Sequence, residues 1–401
     1  MVVIENTYKG FNRSLRINMD YIYIDSSEKL ANFCSSIEVA DYCVIDTEFV
    51  REKTYYPILA LIQIATDQHM GCIDPLAFDC FEPFIKLLQN PDLIKVFHSS
   101  SQDLEILFQN YDQIPTPVFD TQLAAAVLGY NHQISYADLV QNVTGVHLEK
   151  KYTRANWVHR PLTEGELDYA MDDVRYLMPV YRHLKSELEV KQRGPWIEKE
   201  FQKMSAESSY ELDSSKLWKK LKGVQKLKGI QLQIASLLCE WREQLAQKKN
   251  LPKRWVIKDE LIIDIARLKP SSATELASIR DVNQKFVEQN AMTVLDAINK
   301  AQAMDSSEWP KHEKSRALTS GQQSVGDCLM ALCREIAEEN NIALATLATR
   351  KDIDNLIINR KNSELSQGWR FEMAGEKLLK FIHGQTGIAA GESGIKLIVA
   401  S

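Results

Sequence analysis

The feature that most limits the fold is a change of pattern along the chain. Over roughly the first 189 residues β-rich runs alternate with helical periodicity. Beyond Gly194 and Pro195 the strand signal nearly vanishes, and short helical stretches separated by polar turns take over. Residues 42–49, 59–65 and 70–73 are strand-like and close together, as in an antiparallel meander. A helix over 81–88, a strand over 94–97, a helix after Ser101, a strand at 118–119 and helices over 121–128 and 136–143 follow, and a long amphipathic helix over 164–189 closes the series. This pattern predicts a mixed α/β unit and then an all-α remainder. At 401 residues the chain exceeds what one core usually organises, so two or three domains are expected.

No apolar run reaches the roughly 18 residues that a membrane span needs. Glu5, Lys9, Arg13 and Arg16 interrupt the N-terminal stretch where a secretory signal would be apolar. The expectation is a cytoplasmic protein with no membrane partner. Seven cysteines without CxxC pairing predict reduced, mostly buried thiols, with neither a disulfide framework nor a zinc site. The net charge of -6 argues against a uniformly basic surface, yet basic residues cluster locally. Lys216, Lys219, Lys220, Lys222, Lys226 and Lys228 fall in KLWKKLKGVQKLK without a carboxylate, and Lys248, Lys249, Lys253 and Arg254 flank Trp255. Such a cluster reads either as a solvated helix face or as a phosphate-binding patch.

Within the helical half, LLCEWREQLAQKKNLPKRWVIKD (237–259) and LCREIAEENNIALATLATRKD (332–352) are weakly self-similar at a period of about 93 residues. Two related helical modules are expected, joined by the polar stretch 306–324 with its Pro310 and Gly321. A loosely held tail over 389–401 is expected after them.

Five residues stand out as candidates for chemistry. Asp46 and Glu48 are two apart in the apolar run CVIDTEF, so both side chains leave one face of a strand and can converge on a cation. A bare DxE is commonplace, but carboxylates in so apolar a strand are costly unless a cation or hydrogen bonds compensate them. Asp103 follows the strand IKVF and the turn HSSS, in the first turn of a helix, where the helix dipole alone could explain it. Ser99, Ser100 and Ser101 are N-cap candidates there. Tyr169 and Asp173 are four apart on the long helix and so address one site. The core stripe Leu167, Ala170, Val174, Leu177, Tyr181 and Leu184 puts Asp173 beside the buried interface and Asp172 in solvent. His98, Trp157, Trp218, Trp241 and Trp369 read as structural, and Cys328 and Cys333 lack partners for a metal.

Taken in order, a strand DxE, an Asp opening a later helix and YxxxD on a closing helix resemble the DEDD exonuclease superfamily on the ribonuclease H-like fold. DTEFVREKTYYPILALIQIA, HSSSQDLEIL and WVHRPLTEGELDYAMDDVRYLMPVY resemble the ribonuclease D family, and the two helical modules resemble its HRDC domains, most clearly over 224–301. Tyr169 in the YxxxD spacing places the chain with the tyrosine branch of the superfamily. Asn156 departs from the acid that the family commonly has before the Trp.

The resemblance implies an exonuclease domain over 1–205, a first HRDC domain over 206–305 and a second HRDC-like domain over 306–401. It implies a 3′-to-5′ exoribonuclease that uses two divalent cations, Mg²⁺ or Mn²⁺, and releases nucleoside 5′-monophosphates. Asp46 would bridge the ions, Glu48 and Asp173 would hold the one that activates water, Asp103 would serve the other, and Tyr169 would orient the water. The implied partners are tRNA precursor 3′ ends and other small structured RNAs, bound in part by the lysine cluster, with the protein a monomer. The rival readings are a DNA 3′-to-5′ exonuclease of the proofreading or Werner type, against which the HRDC-like modules count, and a silent RNA-binding protein, against which the complete acid set counts.

Overall fold

The computed structural model describes residues 20–149, 151–312, 317–358, 363–391 and 394–399. The N-terminal charges Glu5, Lys9, Arg13 and Arg16 and the middle of the 306–324 linker lie outside these residues. Strands β1 (Ile22–Ile24), β2 (Tyr42–Val50), β3 (Ile58–Ala65), β4 (Met70–Ile73), β5 (Ile94–Phe97) and β6 (Val118–Asp120) form one sheet in the order β1-β4-β3-β2-β5-β6. The sheet is mixed: β3 runs antiparallel to β4, while β1 with β4, β2 with β5 and β5 with β6 are parallel. The strand carrying Asp46 and Glu48 is therefore central.

Helices α1 (Ser27–Ile37), α2 (Glu82–Gln89), α3 (Ser101–Tyr111), α4 (Thr121–Leu128), α5 (Tyr136–Thr144), α6 (Glu164–Arg175), α7 (Leu177–Val190) and α8 (Gly194–Met204) accompany the sheet. Their ends are written locally. The Asp120 carboxylate caps α4 by accepting from the Gln122 and Leu123 amides, and Gly129 ends it at φ +106°. Thr163 and Glu166 close a reciprocal capping box at the start of α6. The continuous helix expected over 164–189 is instead two helices that break at Tyr176. Pro179 explains the break: in an unbroken helix its ring would collide with the Arg175 carbonyl, four residues back. Strand β1 and helix α1 have no counterpart in the sequence reading, since a three-residue strand leaves too short a pattern.

The helical half continues with α9 (Ile230–Lys249), α10 (Lys253–Val256), α11 (Asp259–Leu268), α12 (Ala273–Ala277) and α13 (Gln284–Ala303). It ends with α14 (Ser320–Glu339), α15 (Leu344–Leu347), α16 (Arg350–Ile358), α17 (Gly368–Arg370), a π turn over Phe371–Gly375 and α18 (Glu376–Ile382). The described part of the stretch expected as a loose tail instead belongs to an antiparallel pair of strands, β7 (Thr386–Gly391) with β8 (Gly394–Val399). Among the described residues no helix is long and apolar enough to cross a membrane.

Two compact units result. One joins residues 1–48, 59–209 and 316–401; the other joins 49–58 to 210–315. In the first, the final helices pack on the α/β part. The Trp196 and Trp369 rings stack 4.6 Å apart at 9°, and Arg193 donates to the carbonyls of Val127 and Asn340, each at 2.6 Å. A Cβ at Gly129 would come within 2.6 Å of the Asn341 carbonyl oxygen, so this helix end admits only glycine on two counts.

In the second unit the lysine-rich run is a series of 3₁₀ turns. Leu217, Trp218, Leu221, Val224 and Leu227 point into a core with α9, α11 and α13, and Lys216, Lys219, Lys220, Lys222, Lys226 and Lys228 are exposed. The run lacks a carboxylate in sequence, yet Asp213 reaches Lys216 at 2.6 Å. Tyr55, from the segment after β2, belongs to this unit: its hydroxyl donates to Glu243, and its amide and that of Tyr56 donate to the Asn250 side chain at 3.1 and 3.0 Å.

Candidate active site

Strand β2 sends Asp46 and Glu48 to one side, and α6 brings Asp173 to meet them. One carboxylate oxygen from each of the three lies within 4.8 Å of the others. All three residues are half-buried. Asp103, 8% exposed, stands outside this trio although it belongs to the same field of charge. Its Oδ1 accepts a 2.5 Å hydrogen bond from the hydroxyl of Thr47, the strand residue between Asp46 and Glu48. This bond accounts for the set-off position.

The electrostatics follow from crowding. Burial, and then Asp173, Asp103 and Glu48, hold the Asp46 carboxyl well above the usual range. Burial, and then Asp173 and Asp103, push Glu48 up to about 8. Burial raises Asp103 to about 7 against the pull of Thr47, and burial with Asp172 and Asp103 raises Asp173 to about 7. Among the described residues no lysine, arginine or histidine pairs with Asp46, Glu48 or Asp173 to relieve this repulsion. Carboxylates crowded in this way fit hard divalent ions, which prefer carboxylate oxygen.

Tyr169 lies one helical turn before Asp173. Its ring stacks on Trp157 with centroids 6.3 Å apart and meets Tyr152 edge-on at 5.8 Å, and its hydroxyl is 3.4 Å from that of Thr153. Burial raises its pKa, so it holds its proton at neutral pH. A cavity of about 300 Å³ adjoins it, lined by Tyr136, Leu148, Thr153, Tyr169 and Asp173 among others. Asn156 is exposed beside Trp157, which is 4% exposed.

Asp172 departs from the sequence expectation of a solvated residue. It is half-buried and pairs with Arg175, which is 9% exposed and also donates to Asp168 at 3.0 Å. The helical wheel missed this because Arg175 folds back under its own helix. Asp120 also escaped the sequence reading. It accepts from the Ser99 and Ser100 amides and the Ser100 hydroxyl, besides capping α4. Ser100 holds the N-cap position of α3, but its hydroxyl serves Asp120 and makes no cap bond. Asp120 thereby fixes the turn from which Asp103 projects; the signal for it was an Asp placed just before the helix TQLAAAVL. His98 is structural as expected, with its ring nitrogens 3.0 Å from the Thr121 hydroxyl and 3.2 Å from the Ile134 carbonyl.

Comparison with known proteins decides what this arrangement belongs to. Residues 21–189 match the family described as 3′-5′ exonuclease, and residues 231–298 match the HRDC domain. Ribonuclease D of Bartonella henselae is 34% identical over 382 residues, 94% of this chain and 92% of that protein. The chain belongs to the ribonuclease D family. Ribonuclease D of Nitrobacter hamburgensis is 35% identical over 91% of this chain and 96% of that protein. The crystal structure of Escherichia coli RNase D, described as an exoribonuclease involved in structured RNA processing, superposes with a TM-score of 0.81 at 30% identity, covering 91% of this chain and 99% of that one. The protein is thus a 3′-to-5′ exoribonuclease of the DEDD type, with a mixed α/β exonuclease domain followed by a helical HRDC domain. Its acidic cluster accords with the use of divalent metal.

Proposed function

We propose that the protein trims the 3′ ends of tRNA precursors and other small structured RNAs, as a cytoplasmic monomer. The observation that carries the chemistry is the trio Asp46, Glu48 and Asp173 within 4.8 Å, with Asp103 beside it. Divalent cations, two of Mg²⁺ or Mn²⁺ in this reading, supply charge neutralisation at the scissile phosphate and a lowered pKa for water. Asp46, Glu48 and Asp173 would hold the cations, with Asp46 contributing to both and Glu48 and Asp173 to the one that activates water, and Asp103 would serve the other. The neutral Tyr169 hydroxyl orients the attacking water by hydrogen bonding and does not remove its proton. The cavity beside Tyr169 and Asp173 receives the terminal nucleotide, which leaves as the 5′-monophosphate.

The chain divides in this reading into an exonuclease domain over 1–205, an HRDC domain over 206–305 and a second HRDC-like domain over 306–401. A 20-residue helix, a 4-residue turn and a helix of 10 residues in the first helical module (α9 to α11) recur as helices of 20, 4 and 9 residues in the second (α14 to α16), which supports a duplication. The exposed lysines of the 3₁₀ run bind RNA phosphates, so binding weakens with salt. Incubating the protein with 3′-extended tRNA, and with matched RNA and DNA single strands, under Mg²⁺ or Mn²⁺ tests this. Stepwise release of nucleotides from the RNA 3′ end supports it. Preferential attack on DNA, or endonucleolytic cuts, would overturn it.

A further inference from the structure

The segment 151–163 that cradles Tyr169 is itself tied to the sheet by one side chain. Arg160 donates from Nε and Nη2 to the two carboxylate oxygens of Asp74 at 2.6 and 2.7 Å, and from Nη2 to the Ala60 carbonyl of β3 at 2.7 Å. Its Nη1 donates back to the carbonyls of Trp157 and His159 at 2.6 and 2.9 Å. A guanidinium has five N–H donors, and all five are used. Arg160 therefore has none left for a substrate phosphate, although an arginine near a nuclease site invites that reading. Asp74 is equally committed: it is 3% exposed and also accepts from the Tyr23 hydroxyl and the Leu76 amide.

Trp157, whose carbonyl this brace holds, is the residue whose ring lies against Tyr169, and Tyr152 completes the cradle. A Cβ on Gly165 would come within 2.6 Å of the Tyr152 hydroxyl, so a side chain there would push the Tyr152 ring from its present place beside Tyr169. We infer that Asp74 and Arg160 form a positioning brace for Tyr169: they fix the Trp157 ring, which sets where the Tyr169 hydroxyl points. This rests on the reading that Tyr169 orients the attacking water. A bidentate carboxylate pair fixes both angle and distance, which a lysine cannot reproduce.

The test is a double-mutant cycle on a short single-stranded RNA with saturating Mn²⁺. Arg160→Lys, Asp74→Asn and Trp157→Phe are each expected to lower kcat by roughly ten- to hundredfold with KM little changed, the scale for a misplaced catalytic group. Combined with Tyr169→Phe, each is expected to add nothing, because the hydroxyl it positions is already gone. Calorimetric Mn²⁺ affinity is expected to match the wild type in every variant, which also shows that the site is folded. Multiplicative losses in the double mutants, loss of Mn²⁺ binding, or undiminished kcat in the brace variants while Tyr169→Phe is slow, would overturn the brace. If Tyr169→Phe alone keeps full kcat, the role given to Tyr169 fails first, and the brace fails with it.

Discussion

Asp46 is raised by burial and by three neighbouring carboxylates, so its negative charge weakens the fold unless a cation compensates it. A carboxyl whose folded pKa lies above its unfolded value, about 4, contributes stability that is complete below that value and is lost as pH rises through the folded one. With Glu48 near 8 and Asp103 and Asp173 near 7, the window runs from about pH 4 to about pH 8. The thermal shift produced by Mn²⁺ is therefore expected to be larger at pH 8 than at pH 5.5. Asp46→Asn is expected to melt higher than the wild type in EDTA at pH 8, lose most of the Mn²⁺ shift and lose activity by orders of magnitude. Thermal denaturation with and without chelator checks this, and a Mn²⁺ shift independent of pH would count against it. At the neighbouring pair, Asp168→Asn is the milder control, since its side chain is 64% exposed although it too accepts from Arg175. Asp172→Asn is expected to cost about 1 to 3 kcal/mol by giving the buried Arg175 a neutral acceptor in place of a charged one, with Mn²⁺ affinity retained; urea denaturation and calorimetry separate the two.

The site is assembled from one strand and two helices, and these differ in how far sequence reveals them. Asp46 and Glu48 were legible because strand period places both on one side, and Tyr169 with Asp173 because helix period does the same. The tether of Thr47 to Asp103 was not, since it joins residues 56 apart, and the brace of Arg160 to Asp74 joins residues 86 apart. Periodicity reports only local geometry. Pro179 carried a local signal for the break after α6, but a sustained apolar stripe masked it. The hairpin of β7 and β8 gave little pattern because both strands are only half covered, so neither has a fully buried face to mark. Asp120 shows what an element end can bear: one carboxylate serves the amides of the Ser99 and Ser100 turn and of the first turn of α4. Asp120→Ala is expected to cost at least about 2 kcal/mol, more than a single lost cap. It is also expected to slow hydrolysis, because the Ser99 and Ser100 turn no longer fixes Asp103. Full rates in a destabilised variant would show that α3 holds Asp103 without that turn.

For the whole molecule, the division into compact units bears on what a truncated enzyme can do. All four carboxylates and Tyr169 precede Ser205, which makes a chain ending there an obvious minimal nuclease. Residues 316–401, however, share a compact unit with the α/β part. They supply Trp369, 9% exposed and stacked on Trp196, and the Asn340 carbonyl that accepts from Arg193. Removing them would bare the Trp196 face of α8 and leave an Arg193 donor in search of water. Trp369→Ala is expected to cost about 3 to 5 kcal/mol, the range for deleting a packed Trp. A chain ending at Ser205 is expected to lose at least as much. Its hydrolysis of short single strands should consequently fall with temperature well before that of the full chain, and Mn²⁺ should restore part of it by binding only the folded form. Parallel urea unfolding of the full chain, Trp369→Ala and the shortened chain measures this. If the shortened chain unfolds at the wild-type midpoint, the C-terminal helices contribute nothing to the stability of the exonuclease domain, and their role is confined to RNA.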